Sequence, residues 1–267
     1  MRTSAEPDPG LVAYHLLLRA APQLPTAAMS NRTSLDQELA SLRGLIAEMA
    51  NRVDEQFADA MNALLQGDVA LAERVVERDD RIDALELRID DQCERILALH
   101  APVAADLRML IMAVKINTDL ERIGDHCRNL SRNAEHLKDM PGLLAETRLP
   151  KMADMSRTML REAQTAFLEN DRLRARKVIA RDLQVNRLHA ETFDRLVALT
   201  EEKPEQADVI AHLLTASKAL ERISDHTKNI AQSIVFLVEG EDIRHGGLPN
   251  EDDPASDASN EQASHVE

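Results

Sequence analysis

The chain has 267 residues, 30% of them charged, a formal net charge of −15 and only 2% aromatic residues with no tryptophan. The acidic balance excludes nucleic acid as a direct partner, because a phosphate backbone requires a basic footprint. The scarcity of aromatic residues argues for an all-α protein, and no apolar run approaches the roughly 18–20 residues of a membrane span.

Residues 1 to about 30 hold Pro7, Pro9, Pro22 and Pro25 with little helical periodicity, which reads as a disordered extension. Leu16, Leu17 and Leu18 are too few for a signal-peptide core, and Met29 is an alternative start. Thr33 or Ser34 can cap the next segment, with Gln37 in the capping-box position for Ser34. From Leu35 to Leu64, apolar residues recur at three- and four-residue spacing, predicting one long amphipathic helix that ends near Gly67. Asp68 caps a second helix that runs to about His100 through Leu71, Val75, Ile82, Leu85, Ile89, Cys93 and Ile96. Pro102 opens a third, expected to reach about Asp139 before Pro141-Gly142 breaks it. A fourth helix over about 146–169, a fifth over 171–201 and a sixth from Pro204 to Gly240 repeat the plan. Cys93 and Cys127 lie in apolar helical patterns rather than a CxxC pair, as reduced core thiols of a cytoplasmic protein would. Met109, Met112, Met152, Met155 and Met159 read as core filler. Beyond Gly240 the chain is acidic and poor in apolar residues, which predicts a disordered tail.

The second half repeats the first. Leu120-Glu121-Arg122-Ile123-Gly124-Asp125-His126 returns as Leu220-Glu221-Arg222-Ile223-Ser224-Asp225-His226. A doubled unit with short loops predicts two pseudo-symmetric antiparallel three-helix bundles, over 31–140 and 141–240, between an extension at 1–30 and a tail at 241–267.

At about 100° per residue, Glu121, Asp125 and Arg128 share one stripe, away from Met112, Ile116, Ile123, Cys127 and Leu130. On the second helix Asp79, Asp83, Glu86 and Asp90 form an acidic line. Like charges four residues apart cost about 0.2–0.5 kcal/mol per pair unless neutralised. A hard cation with oxygen ligands is one neutraliser, so Asp79 and Asp83 could face Glu121 and Asp125 as four carboxylates. Spacing leaves a second reading open, a solvated face paired with Arg122, Arg128, Arg222 and Lys228. The corresponding line in the second half reads Asp182, Asn186, His189 and Phe193, opposite Glu221 and Asp225, and is less acidic. His126 and His226 fall off the carboxylate stripe, which suits a packing or supporting role. Gly124 costs about 1 kcal/mol relative to alanine in mid-helix; close backbone approach would explain it, although Ser224 shows that the second copy needs no glycine.

These residues resemble the PhoU family of phosphate-transport accessory and regulatory proteins. The matching segments are Gly67-Asp68, Arg78 to Asp83, Pro102 to Arg108, Lys115 to Asp125 and Ala219 to Ala231. The resemblance covers about 31–245 and implies two three-helix bundles related by pseudo-symmetry. Some family members carry multinuclear clusters of iron or other metals on Glu/Asp-x-x-x-Asp motifs. Carried over, this nominates Asp79, Asp83, Glu121 and Asp125 for one site and Asp182, Glu221 and Asp225 for a second, with iron, manganese or zinc as the ion and Asn186 departing from the pattern. It also implies a non-catalytic cytoplasmic regulator, with homodimers known in the family. Such a protein would couple the ATPase subunit of a phosphate ABC transporter to a sensor histidine kinase and hold phosphate-starvation genes off. Three alternatives stay in view: a metal-free adaptor, a carboxylate-bridged di-iron enzyme, and a phosphotransfer bundle using His126 or His226. The di-iron enzyme needs Glu-x-x-His pairs that this chain lacks.

Overall fold

The computed structural model describes residues 26–138 and 141–240. The expected extension through residue 25, the acidic tail from 241, and Asp139 and Met140 lie outside the described residues. Every regular element among the described residues is helical: α1 (Thr26–Gln66), α2 (Val69–Arg78), α3 (Asp80–His100), α4 (Ala104–Ser131), the short α5 (Ala134–Leu137) and α6 (Pro141–Ala145), α7 (Leu149–Glu169), α8 (Arg172–Glu202) and α9 (Ala207–Glu239). A single 3-10 turn, Pro204–Gln206, leads into α9. None of these helices is long and apolar enough to cross a membrane.

The first three rods, α1, α2–α3 and α4, pack as one antiparallel bundle, and α7, α8 and α9 as the other. The bundles join along two seams, α4 against α9 and α1 against α7. A single apolar core runs through both, from Leu35 to Val235. Leu, Ile, Val, Met and Ala fill it, and Phe57 and Phe167 are the buried aromatic residues. Met109, Met112, Met152 and Met159 are buried, while Met155 packs at the margin. Cys93 and Cys127 are free and buried. Burial pushes the Cys93 thiol up to about 11 and the Cys127 thiol well above its ordinary value, which leaves both poor nucleophiles. Across the α1–α7 seam, Arg157 forks onto Asp54 through two hydrogen bonds of 2.9 and 3.0 Å.

Several boundaries differ from the sequence expectations. The first helix begins at Thr26, so Ser34 lies inside it and the Ser34–Gln37 capping box does not form. Arg32 holds this extra length in place, pairing with Asp36 at 3.1 Å and reaching Asp106 at 2.7 Å. The third rod stops at Ser131, because two side chains take its last carbonyls: Ser131 donates to the Arg128 oxygen at 2.8 Å and Asn133 to the Asn129 oxygen at 2.9 Å. Pro141 opens a short helix instead of ending one. The second rod is not continuous, for it breaks at Asp79 between α2 and α3.

Other signals appear as expected. Asp68 and Asp171 cap α2 and α8, accepting from the backbone amides of Leu71 and Arg174 at 2.9 and 3.0 Å. Gly67 adopts φ +63°, and a Cβ there would stand 2.5 Å from the Lys138 Cα. Both the left-handed backbone and the neighbouring chain therefore require glycine. Gly67→Ala is expected to lower the unfolding free energy by about 2–3 kcal/mol in urea titration. A loss below about 0.5 kcal/mol would mean that the loop yields at no cost.

Candidate metal centre

The break at Asp79 sets the geometry of the first acidic cluster. Asp79 is only 2% exposed. A buried carboxylate needs donors, and the fold supplies two. Gln56 on α1 donates to it at 2.7 Å, and the Arg128 guanidinium on α4 donates to its other oxygen. Gln56 also donates to the Gly124 carbonyl at 3.1 Å. A Cβ on Gly124 would sit 3.1 Å from the Ile82 Cδ1 and 3.6 Å from the Asp79 Oδ1. The glycine therefore lets α4 lie close against the break. Arg128 extends its other arm to Asp125 at 2.6 Å, clamping Asp79 and Asp125 together.

The remaining acids of this groove lack such a clamp. Asp83 makes no ion pair among the described residues, and its carboxyl is pushed up by burial and then by Asp79 and Asp125. Glu86 is raised by burial and then by Asp90 and Asp83. Glu121 reaches about 6, through burial first and Asp125 next, against the opposing charge of Arg122. Asp90 is engaged elsewhere, accepting from the buried Asn117 at 2.9 Å. Three carboxyls with raised proton affinity on facing helices mark a groove short of positive charge.

The fit to a cation is therefore uneven. Asp83, Glu86 and Glu121, with Asp125 beside them, form the oxygen-rich set a divalent ion takes, whereas Asp79 is withdrawn and held by Gln56 and Arg128. As they stand, no three of these acids bring their oxygens within 4.8 Å of one another, so side-chain rotation would have to close the set. Glu86 belongs with this group, although the sequence comparison left it out of the ligand set.

The second copy solves the same electrostatic problem internally. Asp182, 3% exposed, stands where Asp79 stands in the first copy. Lys228 reaches it at 2.7 Å and Asp225 at 3.1 Å. Burial opposes the ammonium charge, but the hydrogen bonds and charges of Asp182 and Asp225 outweigh it and raise the Lys228 pKa. Asn186 donates to Asp182 at 3.2 Å, Glu221 pairs with Lys218 at 2.7 Å, and His189 is bonded to the Ser217 hydroxyl at 2.8 Å. Ser156 and Ser224 share a hydrogen bond of 2.7 Å, so Ser224 meets a hydroxyl on α7 where Gly124 in the first copy meets Ile82 and Asp79. With a lysine already between its carboxylates, this second set does not fit a divalent ion.

His126 and His226 face each other across the α4–α9 seam with ring centroids 5.6 Å apart. His226 is bonded through Nδ1 to Asp119 at 2.9 Å. Burial and then the facing His226 lower the His126 pKa. The motif histidines thus pack the two halves together, away from the carboxylate groove.

The sequence carried one overlooked signal for this arrangement. Gln56 interrupts the apolar run of Val53, Phe57 and Ala60 on α1, and a polar residue on a core face needs a buried partner.

Comparison with known proteins agrees with the doubled architecture. The PhoU domain profile matches residues 46–134 and again 149–234. The chain belongs to the PhoU family. A Pseudomonas aeruginosa relative described as a phosphate-specific transport system accessory protein PhoU homolog is 37% identical over 214 residues, 79% of this chain and 88% of its own length. A homolog of the same description from Aquifex aeolicus is 35% identical over 211 residues and is covered to 96%. The crystal structure of PhoU from Pseudomonas aeruginosa superposes with a TM-score of 0.73 at 34% identity, over 77% of this chain and 99% of that one. The phosphate transport system regulatory protein PhoU from Streptococcus pneumoniae gives a TM-score of 0.73 at 29% identity, over 78% of this chain and 98% of its own.

Proposed function

We propose that this PhoU-family chain is a negative regulator of phosphate uptake and of phosphate-starvation signalling. It acts in the cytoplasm by contact with the ATPase subunit of a phosphate ABC transporter and with a sensor histidine kinase. The observation that carries this reading is the match of both halves to the PhoU domain, alongside relatives described as accessory proteins of phosphate-specific transport. The groove between α3 and α4 binds a divalent cation, iron, manganese or zinc, through Asp83, Glu86, Glu121 and Asp125. A cation there supplies charge neutralisation and an oxygen-ligated bridge between the two helices. The chain's own part is to hold the carboxylates on facing rods, with Gln56 and Arg128 fixing the break that aims α3. The second groove carries Lys228 in place of an ion. Asp83 in the first groove and Asp225 in the second are half-exposed, so each groove keeps a carboxylate within reach of a partner.

A specific observation disfavours the di-iron enzyme: the position three residues after Glu121 is Gly124, packed against Ile82, where such a site requires a histidine ligand. Capture of an epitope-tagged chain from cross-linked, phosphate-replete cells tests the partner reading. The transporter ATPase and the kinase are expected to be enriched over an untagged control, and recovery of neither contradicts the proposal.

A further inference from the structure

Among the described residues, the one set of three His, Cys, Asp or Glu side chains whose ligand atoms all lie within 4.8 Å of one another is found away from both acidic grooves. It consists of His136, Asp208 and His212. His136 sits on α5, just beyond the last rod of the first bundle, while Asp208 and His212 lie four residues apart on the first turns of α9. That spacing puts the carboxylate and the imidazole on one face of the helix. The His136 and His212 rings are stacked, with centroids 3.5 Å apart and planes inclined by 12°. His136 and Asp208 are exposed and His212 half-buried, so the trio opens to solvent.

A second observation concerns which nitrogen of His212 is available. The Asn133 Nδ2 donates to the Asn129 carbonyl at 2.9 Å, which orients that buried amide with its oxygen toward α9. The Asn133 Oδ1 then accepts the His212 Nδ1–H at 2.9 Å. A neutral imidazole that donates through Nδ1 carries its lone pair on Nε2. Histidine ligands of metal ions are held in this way, by a hydrogen bond from the other ring nitrogen that sets tautomer and ring orientation. Neither His136 nor Asp208 is committed to another described residue.

We propose that His136, Asp208 and His212 form a binding site for a single borderline divalent cation, with Zn²⁺ as the best match. Two imidazoles and one carboxylate are a zinc donor set that leaves a fourth position for water. Bonds of about 2.0–2.1 Å in tetrahedral geometry need donor separations of about 3.3 Å. The exposed His136 ring on its four-residue helix can make that adjustment. An ion here ties the end of the first bundle to the start of α9 and braces the joint between the two repeats. The donors differ from the all-oxygen groove, so the two sites rank divalent ions differently, and the two imidazoles make this one the tighter Zn²⁺ site.

The test uses the full chain, purified without a polyhistidine tag and stripped with chelator. Zn²⁺ competition against a chromophoric chelator, supported by the visible spectrum of the Co²⁺ form, is compared across the wild type, His136→Ala/His212→Ala, and Asp83→Asn/Glu121→Gln. The tightest Zn²⁺ is expected to bind the wild type and the groove variant alike, with its affinity reduced at least about 100-fold in the histidine variant. Zn²⁺ should also raise the melting temperature of the wild type and leave that of the histidine variant in place. The metal-free forms serve as the folding control, since the substituted rings are exposed or half-exposed. Equal Zn²⁺ affinity in the wild type and the histidine variant, or binding lost only in the groove variant, overturns the proposal.

Discussion

Arg128→Ala is expected to lower the unfolding free energy of the chelator-treated protein by about 3 kcal/mol. Asp79 is 2% exposed and depends on Gln56 and Arg128 as donors. Removing the guanidinium leaves a buried carboxylate with one neutral donor, and an unpaired buried charge costs far more than a lost surface ion pair. The loss falls toward the lower end of the range for buried pairs because Arg128 is itself partly exposed and Gln56 remains in place. Asp79→Asn in the same chain removes the stranded charge, so the double variant should recover at least half of the loss. Urea denaturation of the four proteins in this cycle measures the coupling directly. A change below about 0.5 kcal/mol in Arg128→Ala would show that the clamp is incidental.

The second large effect concerns metal. Asp83→Asn/Glu121→Gln is expected to weaken Mn²⁺ or Fe²⁺ binding at the α3–α4 groove by about 100-fold or more, since it removes two of four charged oxygen ligands. Glu221→Gln, placed where Lys218 and Lys228 already supply positive charge, should leave binding unchanged. The pH dependence follows from the raised carboxyls. An oxygen ligand binds metal in its ionised form. Glu121, pushed up to about 6, is ionised above that pH and takes a proton below it. Affinity should therefore be steady from neutral pH upward and fall as pH drops through about 6. Isothermal titration at several pH values reads this out. Affinity that does not change between neutral pH and pH 5, or that survives the double substitution, argues that the groove is only a solvated face.

The periodicity from Leu35 to Leu64 was enough to place α1, and the doubled Leu-Glu-Arg-Ile motif announced two related bundles. Wheel geometry also placed Glu121 and Asp125 off the core stripe. What it could not show is the break at Asp79. In sequence, Asp79 is in register with Asp83, Glu86 and Asp90, and the line looks continuous. The partner that draws Asp79 inward is Gln56 on another helix, and such a tertiary bond leaves no trace in helical spacing. The same holds for Gly124. Its need for a small side chain comes from Ile82 and Asp79 across the groove, whereas Ser224 meets Ser156 and keeps its hydroxyl satisfied. Arg128 and Lys228 were visible as neighbours of the acids, but their choice of the buried Asp79 and Asp182 depends on which acid the fold leaves without water. The His136, Asp208 and His212 trio was hidden for a similar reason, since His136 lies far along the chain from the other two and meets them only where α5 packs on α9.

The most direct test of the regulatory role is a phosphate-starvation reporter in cells lacking this gene, grown in abundant phosphate and free of any second family member. Regulation by this chain predicts that the reporter switches on in the deletion strain and is silenced again by the wild-type gene on a plasmid. A reporter that stays silent in the deletion strain would contradict it.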